Sequence, residues 1–361
     1  MKFDTIQIKN CRMITSAKLE LSSGVNLVIG KNGSGKSSLI EAFSILSTGR
    51  SFRTRRINEV VSWDSEKLLI TANVSASGST SHIGIEKNQD ETRIRINQSD
   101  IRSQAELSQY LPVTTITPDS IKLIMGSPSV RRRYLDWIGF YLLPDFYQVW
   151  KYHQRILKQR NACLRNNQVT ADFNYWTKEL INVQATLYEK RQSIVALLES
   201  PVDLFRKILM PDKRISLSLT NGFPSVDTFE NVNTLAFYQS KLPQELKLKR
   251  TLHGVHKSDL KININDNLAH IAASRGELKL LSILLYLAQS DVLTTDGITS
   301  GVISIDDISS ELDKKNQRIL FKALQALQQQ VILTAPIKMK IWKGENIKMF
   351  HVKHGEVSEV S

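Results

Sequence analysis

Apolar and polar positions alternate over the first thirty residues, in FDTIQIKN and again in AKLELSSGVNLVIG. A period of two marks half-buried strands, with Ser-Ser-Gly at 22–24 as a turn. The period then lengthens. In SSLIEAFSILSTG, Leu39, Ile40, Phe43 and Leu46 share one helical face and Gly49 suits the stop. From 51 to about 117 the short alternating segments KLLITANVSAS, SHIGIEK and TRIRINQ predict an antiparallel sheet. A change comes at TPDSIKLIMGSPSVRRRYLDWIGF, where Ser127 suits an N-cap and Pro128 a first helical position. From there to about 209 the chain is rich in helix formers and nearly free of Gly, so several helices are expected. Strand-like text returns in RISLSL and GVISID, a helix follows in KKNQRILFKALQALQQ, and the end reads as strands around a Gly-containing turn. The pattern predicts a discontinuous α/β architecture. Residues 1–117 and 210–361 form one lobe containing an antiparallel sheet, and 118–209 form an inserted, mostly helical lobe. No heptad array is long enough for a long coiled coil.

Charge sharpens this picture. Lys and Arg number 48 against 35 Asp and Glu, a formal net charge of +13. An excess of this size points to a polyanionic partner, and nucleic acid is the commonest inside a cell. The longest apolar run, LLSILLYLA at 280–288, is too short to span a bilayer, and MKFDTIQIKN lacks the apolar segment of a secretory signal. Cys11 and Cys163 make no disulfide framework. The expectation is a cytoplasmic protein with no membrane partner.

GKNGSGKS at 30–37 fits the phosphate-loop pattern G-x-x-x-x-G-K-[ST]. The candidate loop comprises Gly30, Lys31, Asn32, Gly33, Ser34, Gly35, Lys36 and Ser37, with Ser38 following. Glycines let backbone wrap phosphates, Lys36 supplies a point charge, and the Ser37 hydroxyl suits Mg²⁺. The context agrees, since VNLVI before it reads as a buried strand and SSLIEAF after it as a helix. GVISIDD gives an apolar strand ending in Asp306 and Asp307. One acid there suits Mg²⁺ beside Ser37, and the other suits an attacking water. SRGELK places Ser274, Arg275, Gly276 and Glu277 at the head of an apolar helix, where free N–H groups suit an anion as well as a cap.

Lys36 and Asp306 lie about 270 residues apart, and Ser-x-Gly-Glu precedes the acidic strand. This layout resembles the ATP-binding-cassette superfamily in its chromosome-maintenance and repair branch. More narrowly, NLVIGKNGSGKSSLIEAFSILSTGRSFRT, GSPSVRRRYLD, HGVHKSDL and ISIDDISSELD are similar to the RecF family, in order and over the whole length. That resemblance implies an ATPase head with ATP and Mg²⁺ as ligands. It implies an ATP-dependent homodimer in which Ser274 to Glu277 face the other subunit's ATP. SSELD resembles the D-loop, which brings Ser310, Glu311, Leu312 and Asp313 to the same interface. Lys9-Asn10-Cys11-Arg12 stands where the family has Lys-Asn-Phe-Arg, making Asn10 and Arg12 candidate nucleotide contacts. The resemblance further implies ATP-dependent DNA binding at gaps and single-strand/duplex junctions. It also implies action with RecR and RecO in loading RecA, and support of the SOS response.

Departures are local. Lys257 and Ser258 replace the family's Arg and Asp. Against the wider superfamily, Thr334 stands where transporter cassettes carry a switch His, and Asp307, the acid RecF-like proteins share, is one methylene shorter than the Glu most relatives use. The last two features favour slow hydrolysis acting as a timer. Basic stripes suit phosphate tracking: Arg50, Arg53, Arg55 and Arg56 around Phe52, and Lys151, Arg155 and Lys158 on one helical face. Arg131 to Arg133 rank below these for DNA. Trp137, Tyr141, Trp150 and Trp176 are expected to pack inside. A transporter ATPase subunit, a nuclease-fused ATPase and a non-hydrolysing scaffold remain alternatives. Against the first stand the charge and the motif spacing, and against the second the lack of any D-x-D.

Overall fold

The computed structural model describes residues 1–76, 78–101, 104–224, 234–295, 301–307, 312–327, 329–336 and 347–360. They divide into two units: Met1–Ser120, Leu204–Pro211 and Arg275–Ser361 in one, Ile121–Asp203 and Asp212–Ser274 in the other.

The first unit holds two six-stranded sheets with the helix Lys36–Thr48 against both. One sheet is antiparallel throughout, in the order Ile14–Glu20, Lys2–Cys11, Leu68–Ala76, Ser79–Lys87, Thr92–Ile96, Ser99–Ile101. Its strands alternate as their sequences do: Leu68, Ile70, Ala72 and Val74 are buried while the residues between are half-buried. With Phe3, Ile6 and Ile8 they form a core with Leu39, Ile40, Phe43 and Leu46 of the helix.

The other sheet runs Glu356–Val360, Ile347–Lys353, Val25–Ile29, Gln330–Ala335, Val302–Ile305, Val113–Ile116. Every pairing in it is parallel except that of the terminal hairpin. Its central strands are buried on both faces, which explains their continuous apolar text. Buried Gln330 ties the ends of the chain together: its side chain accepts from Phe3 N at 2.8 Å and donates to Phe3 O at 2.8 Å. Parallel strands place their carboxyl ends on one edge, the usual place for a ligand in such sheets. Here that edge carries the segments after Ile29, Ile305 and Ala335.

The second unit contains the helices Pro128–Leu142, Phe146–Arg165 and much of Ala171–Leu209. It also holds a three-stranded antiparallel sheet of Ile215–Leu219, Leu260–Ile264 and Asn267–Leu268, and the helix Thr234–Leu248. The hydrophobic pattern placed only 118–209 in the inserted lobe. Residues 212–274 group with it because long-range polar contacts draw them in. Arg160, wholly buried, donates to Glu245 at 2.6 Å and Thr251 at 2.6 Å, with its guanidinium carbon 4.9 Å from the Phe173 ring centroid and 4.8 Å from that of Tyr238. Trp137, Tyr141, Trp150 and Trp176 are half-buried rather than inside the core.

His153 is buried in this unit and His256 half-buried, with ring centroids 6.5 Å apart, and neither ring nitrogen of His153 has a hydrogen-bond partner among the described residues. Burial first, and nearby cationic groups second, push His153 down to about 3, and burial pushes His256 down to about 4. The unfolded chain therefore takes up protons that the folded unit refuses. Stability is fully present above the ordinary histidine pKa and falls as pH drops from about 6.5 toward 4. Thermal melts from pH 7 to 4.5 are expected to show that fall, and His153→Phe to flatten it. Parallel curves for the two proteins would contradict this.

Candidate nucleotide site

The phosphate loop leaves the strand Val25–Ile29 and enters the helix Lys36–Thr48. Gly33 and Gly35 take left-handed φ of 77° and 113°, which glycine adopts without strain. At Gly30 a side chain has no room, since a Cβ would lie 2.4 Å from Val352 O. The Lys36 ammonium folds back on the loop, donating to Gly30 O at 2.8 Å and Lys31 O at 2.9 Å. Burial lowers its pKa, opposed by the charges of Asp307 and Asp306.

Opposite the loop, the strand Val302–Ile305 delivers the two acids. Ser37 Oγ donates to Asp306 Oδ1 at 3.1 Å, closing the separation of about 270 residues in the chain. Thr334 joins them: its hydroxyl donates to the same Asp306 oxygen at 2.9 Å and accepts the Asp307 N–H at 2.7 Å. Asp307 is held at φ 49°, a left-handed backbone unusual for a non-glycine residue. Burial raises the Asp306 carboxyl pKa, against the lowering effect of its bonds from Ser37 and Thr334. A hydroxyl and a carboxylate side by side are all-oxygen ligands suited to Mg²⁺. The site fits that ion, with Ser37 and Asp306 as the residues to hold it.

A cleft of about 760 Å³ opens over this constellation. Asn32, Gly33, Gly35, Lys36, Ser37, Ser38 and Asp307 line it, together with Arg12, Met13, Arg53, Asn58 and Trp63. Asn10 is not among the lining residues; its side chain donates to Lys67 O at 3.2 Å and its φ of 58° shapes the turn before Arg12. Arg53, grouped from sequence with DNA contacts, lies on the cleft wall. Trp63, fully exposed, and Met13, half-exposed, also line the cleft, and no periodic pattern in VSWDS marked the tryptophan.

The other basic residues spread out. Arg50 Nε donates to Gln104 at 2.8 Å, and exposed Arg56 pairs with Glu59 at 3.5 Å. Arg55 is exposed, as are Lys151, Arg155 and Lys158 along one face of Phe146–Arg165. Arg131 grips Asp259 through Nε and Nη2, at 2.6 and 3.0 Å, and Arg132 donates to Ser258 O at 2.7 Å. Ser258 is buried and accepts from Arg191, so this segment is built into the inserted unit.

Ser274 directly precedes the helix Arg275–Thr295, with Glu277 in its first turn. A Cβ at Gly276 would meet nothing within 4 Å, so no described neighbour requires glycine there. Asp313 accepts from Asn316 N at 2.8 Å and caps the helix Lys314–Ala326; Leu312 is buried. Ser310 and Glu311 lie outside the described residues.

Fold and site together define a P-loop ATPase head. A family model described as the RecF/RecN/SMC N terminal domain matches residues 2–358. A DNA replication and repair protein RecF from Shewanella piezotolerans is 32% identical over 364 residues, covering 100% of both chains. One from Yersinia enterocolitica is 33% identical over 360 residues, covering 99% of this chain and 98% of that protein. The chain belongs to the RecF family of DNA replication and repair proteins. A solved structure of the recombination mediator protein RecF with ATP matches with a TM-score of 0.86 at 25% identity, over 99% of this chain and 97% of that one. An Smc head bound to the C-winged helix domain of ScpA matches at a TM-score of 0.60 and 14% identity, over 100% and 98%, a likeness of fold alone.

Proposed function

We propose that this chain is an ATP-gated DNA-binding ATPase of recombinational repair and replication restart. The observation that carries the reading is the convergence of Lys36, Ser37 and Asp307 on one cleft, with Asp306 held against it by the Ser37 hydroxyl at 3.1 Å. Backbone N–H groups of residues 32–37 and the Lys36 ammonium receive the phosphates. Ser37 and Asp306 would hold Mg²⁺, which would supply positive charge against the phosphates. Asp307 orients the attacking water and accepts its proton, and Thr334 fixes the backbone of that acid. A carboxylate one methylene shorter than Glu holds water less closely, so turnover is slow.

The signature residues belong to a second copy. Glycine in a helix is about 0.5–1 kcal/mol less favourable than alanine in its interior, and less so in the first turn. Nothing described around Gly276 compensates. A site that admits a neighbour's phosphate at Ser274, Arg275, Gly276 and Glu277 accounts for it. Two copies then sandwich two ATP molecules, with Ser310 to Asp313 along the same interface. The closed dimer presents Arg50, Arg55, Arg56, Lys151, Arg155 and Lys158 to the phosphates of gapped DNA. With RecR and RecO it promotes RecA loading and the SOS response, and it works in the cytoplasm. Among the described residues no helix is long and apolar enough to cross a membrane.

Fluorescence anisotropy with a labelled gapped duplex tests the reading. Mg·ATP is expected to tighten binding about tenfold or more, with an affinity that falls steeply as salt rises. Equal binding without nucleotide, or binding indifferent to salt, contradicts it.

A further inference from the structure

A buried carboxylate stands behind the cleft. Glu41 lies on the helix Lys36–Thr48 and is wholly buried. It accepts a two-pronged grip from Arg12, through Nε to Oε2 and through Nη2 to Oε1 at 2.9 Å. The remaining Arg12 nitrogen donates to Glu59 O at 2.6 Å, so the guanidinium is held along its edges. Glu41 Oε1 also accepts from Ser51 Oγ at 2.5 Å. That Ser51 oxygen in turn accepts the backbone N–H of Arg53 at 3.0 Å and of Thr54 at 3.1 Å. Arg12 and Arg53 both line the cleft with Lys36. One carboxylate therefore fixes the first arginine directly and the second through the turn that carries it.

Stability alone is a poor reason for this arrangement, because desolvating a buried ion pair offsets most of its attraction. Orientation is a better one. A guanidinium already held in place loses less freedom when it meets an anion. The carboxylate also removes positive charge from the cleft, which would weaken anion binding. The two effects have opposite signs.

We propose that Glu41 is a positioning residue for the nucleotide, setting Arg12 and Arg53 against its polyphosphate. This rests on the nucleotide-binding reading of the cleft. A fluorescent ATP analogue with Mg²⁺ is titrated into the full chain carrying Glu41→Gln, Arg12→Lys, both together, or Lys36→Ala, with thermal melts of each. Glu41→Gln is expected to weaken binding about tenfold, the size of a charge-assisted hydrogen bond. Arg12→Lys loses the fork and is expected to weaken it similarly, and the double variant to be no worse than the weaker single one. Unchanged or tighter binding by Glu41→Gln overturns the proposal, as do single effects that add in full. If Glu41→Gln does not fold, Ser51→Ala replaces it. It cuts the Arg53 arm alone and is expected to weaken binding about threefold, and unchanged affinity there overturns the proposal equally. Lys36→Ala separates the two failures. If it binds like the parent, the nucleotide reading itself falls; if it loses binding while Glu41→Gln keeps it, only the role of Glu41 falls.

Discussion

The Asp307→Asn protein is expected to bind Mg·ATP as the parent does and to hydrolyse it about a hundredfold more slowly or less. Removing a general base typically costs that much or more. The two acids differ in what holds them. Asp306 is engaged by Ser37 and Thr334 through the same oxygen, as suits a residue that fixes an ion. Asp307 lines the open cleft, and its backbone N–H is tied to Thr334. Its amide replacement keeps shape and the N–H bond but cannot accept a proton. Single-turnover phosphate release and equilibrium binding, measured on the same sample, check the split. Parent-like hydrolysis would remove Asp307 from the chemistry, and lost binding would make it part of the ion site instead.

The second large effect lies far from any motif. Gly355, in the turn between the strands Ile347–Lys353 and Glu356–Val360, has φ 82°. Its N–H donates to Ser34 O of the phosphate loop at 2.9 Å, and a Cβ there would fall 1.9 Å from Met13 O. Gly355→Ala therefore meets a backbone clash on top of a left-handed conformation that costs about 1–2 kcal/mol by itself. The expected loss of stability is about 3 kcal/mol, with nucleotide affinity lowered about tenfold as the loop shifts. Gly78→Ala isolates the clash. Gly78 has φ 83° but nothing within 4 Å of its Cβ, so it should cost only the conformational part and leave nucleotide affinity alone. Denaturant unfolding and nucleotide titration of both variants decide it; equal behaviour would show that the turn does not support the loop.

The parts of the site legible in the sequence are those whose chemistry is local. A phosphate loop must keep its glycines, lysine and serine within eight residues, and an acid pair must end a buried strand. Arg53 beside Phe52 suits a DNA phosphate and an ATP phosphate equally in the sequence, and its place on the cleft wall exists only in three dimensions. Asn10 carries a nucleotide expectation through its motif alone, while its φ of 58° and its bond to Lys67 O show its part in the turn. Glu41 was invisible for a different reason: a Glu inside a helix normally faces solvent, and its partners Arg12 and Ser51 stand on other segments. The reach of the inserted unit into 212–274 rests on contacts distant in sequence, such as Arg160 with Glu245 and Arg131 with Asp259, which no periodicity encodes. Gly355 read as a turn glycine, which it is, but its approach to Met13 and Ser34 exists only in three dimensions.

In the proposed dimer, Ser274 and Gly276 of a second copy complete the cleft. Analytical ultracentrifugation of the Asp307→Asn protein, with and without Mg·ATP, decides it. The mass is expected to double with ATP, and to stay that of a monomer under both conditions when Ser274→Arg is added. A monomer that binds ATP without doubling, or a dimer indifferent to Ser274→Arg, would contradict it and leave Ser274 as the cap of its own helix.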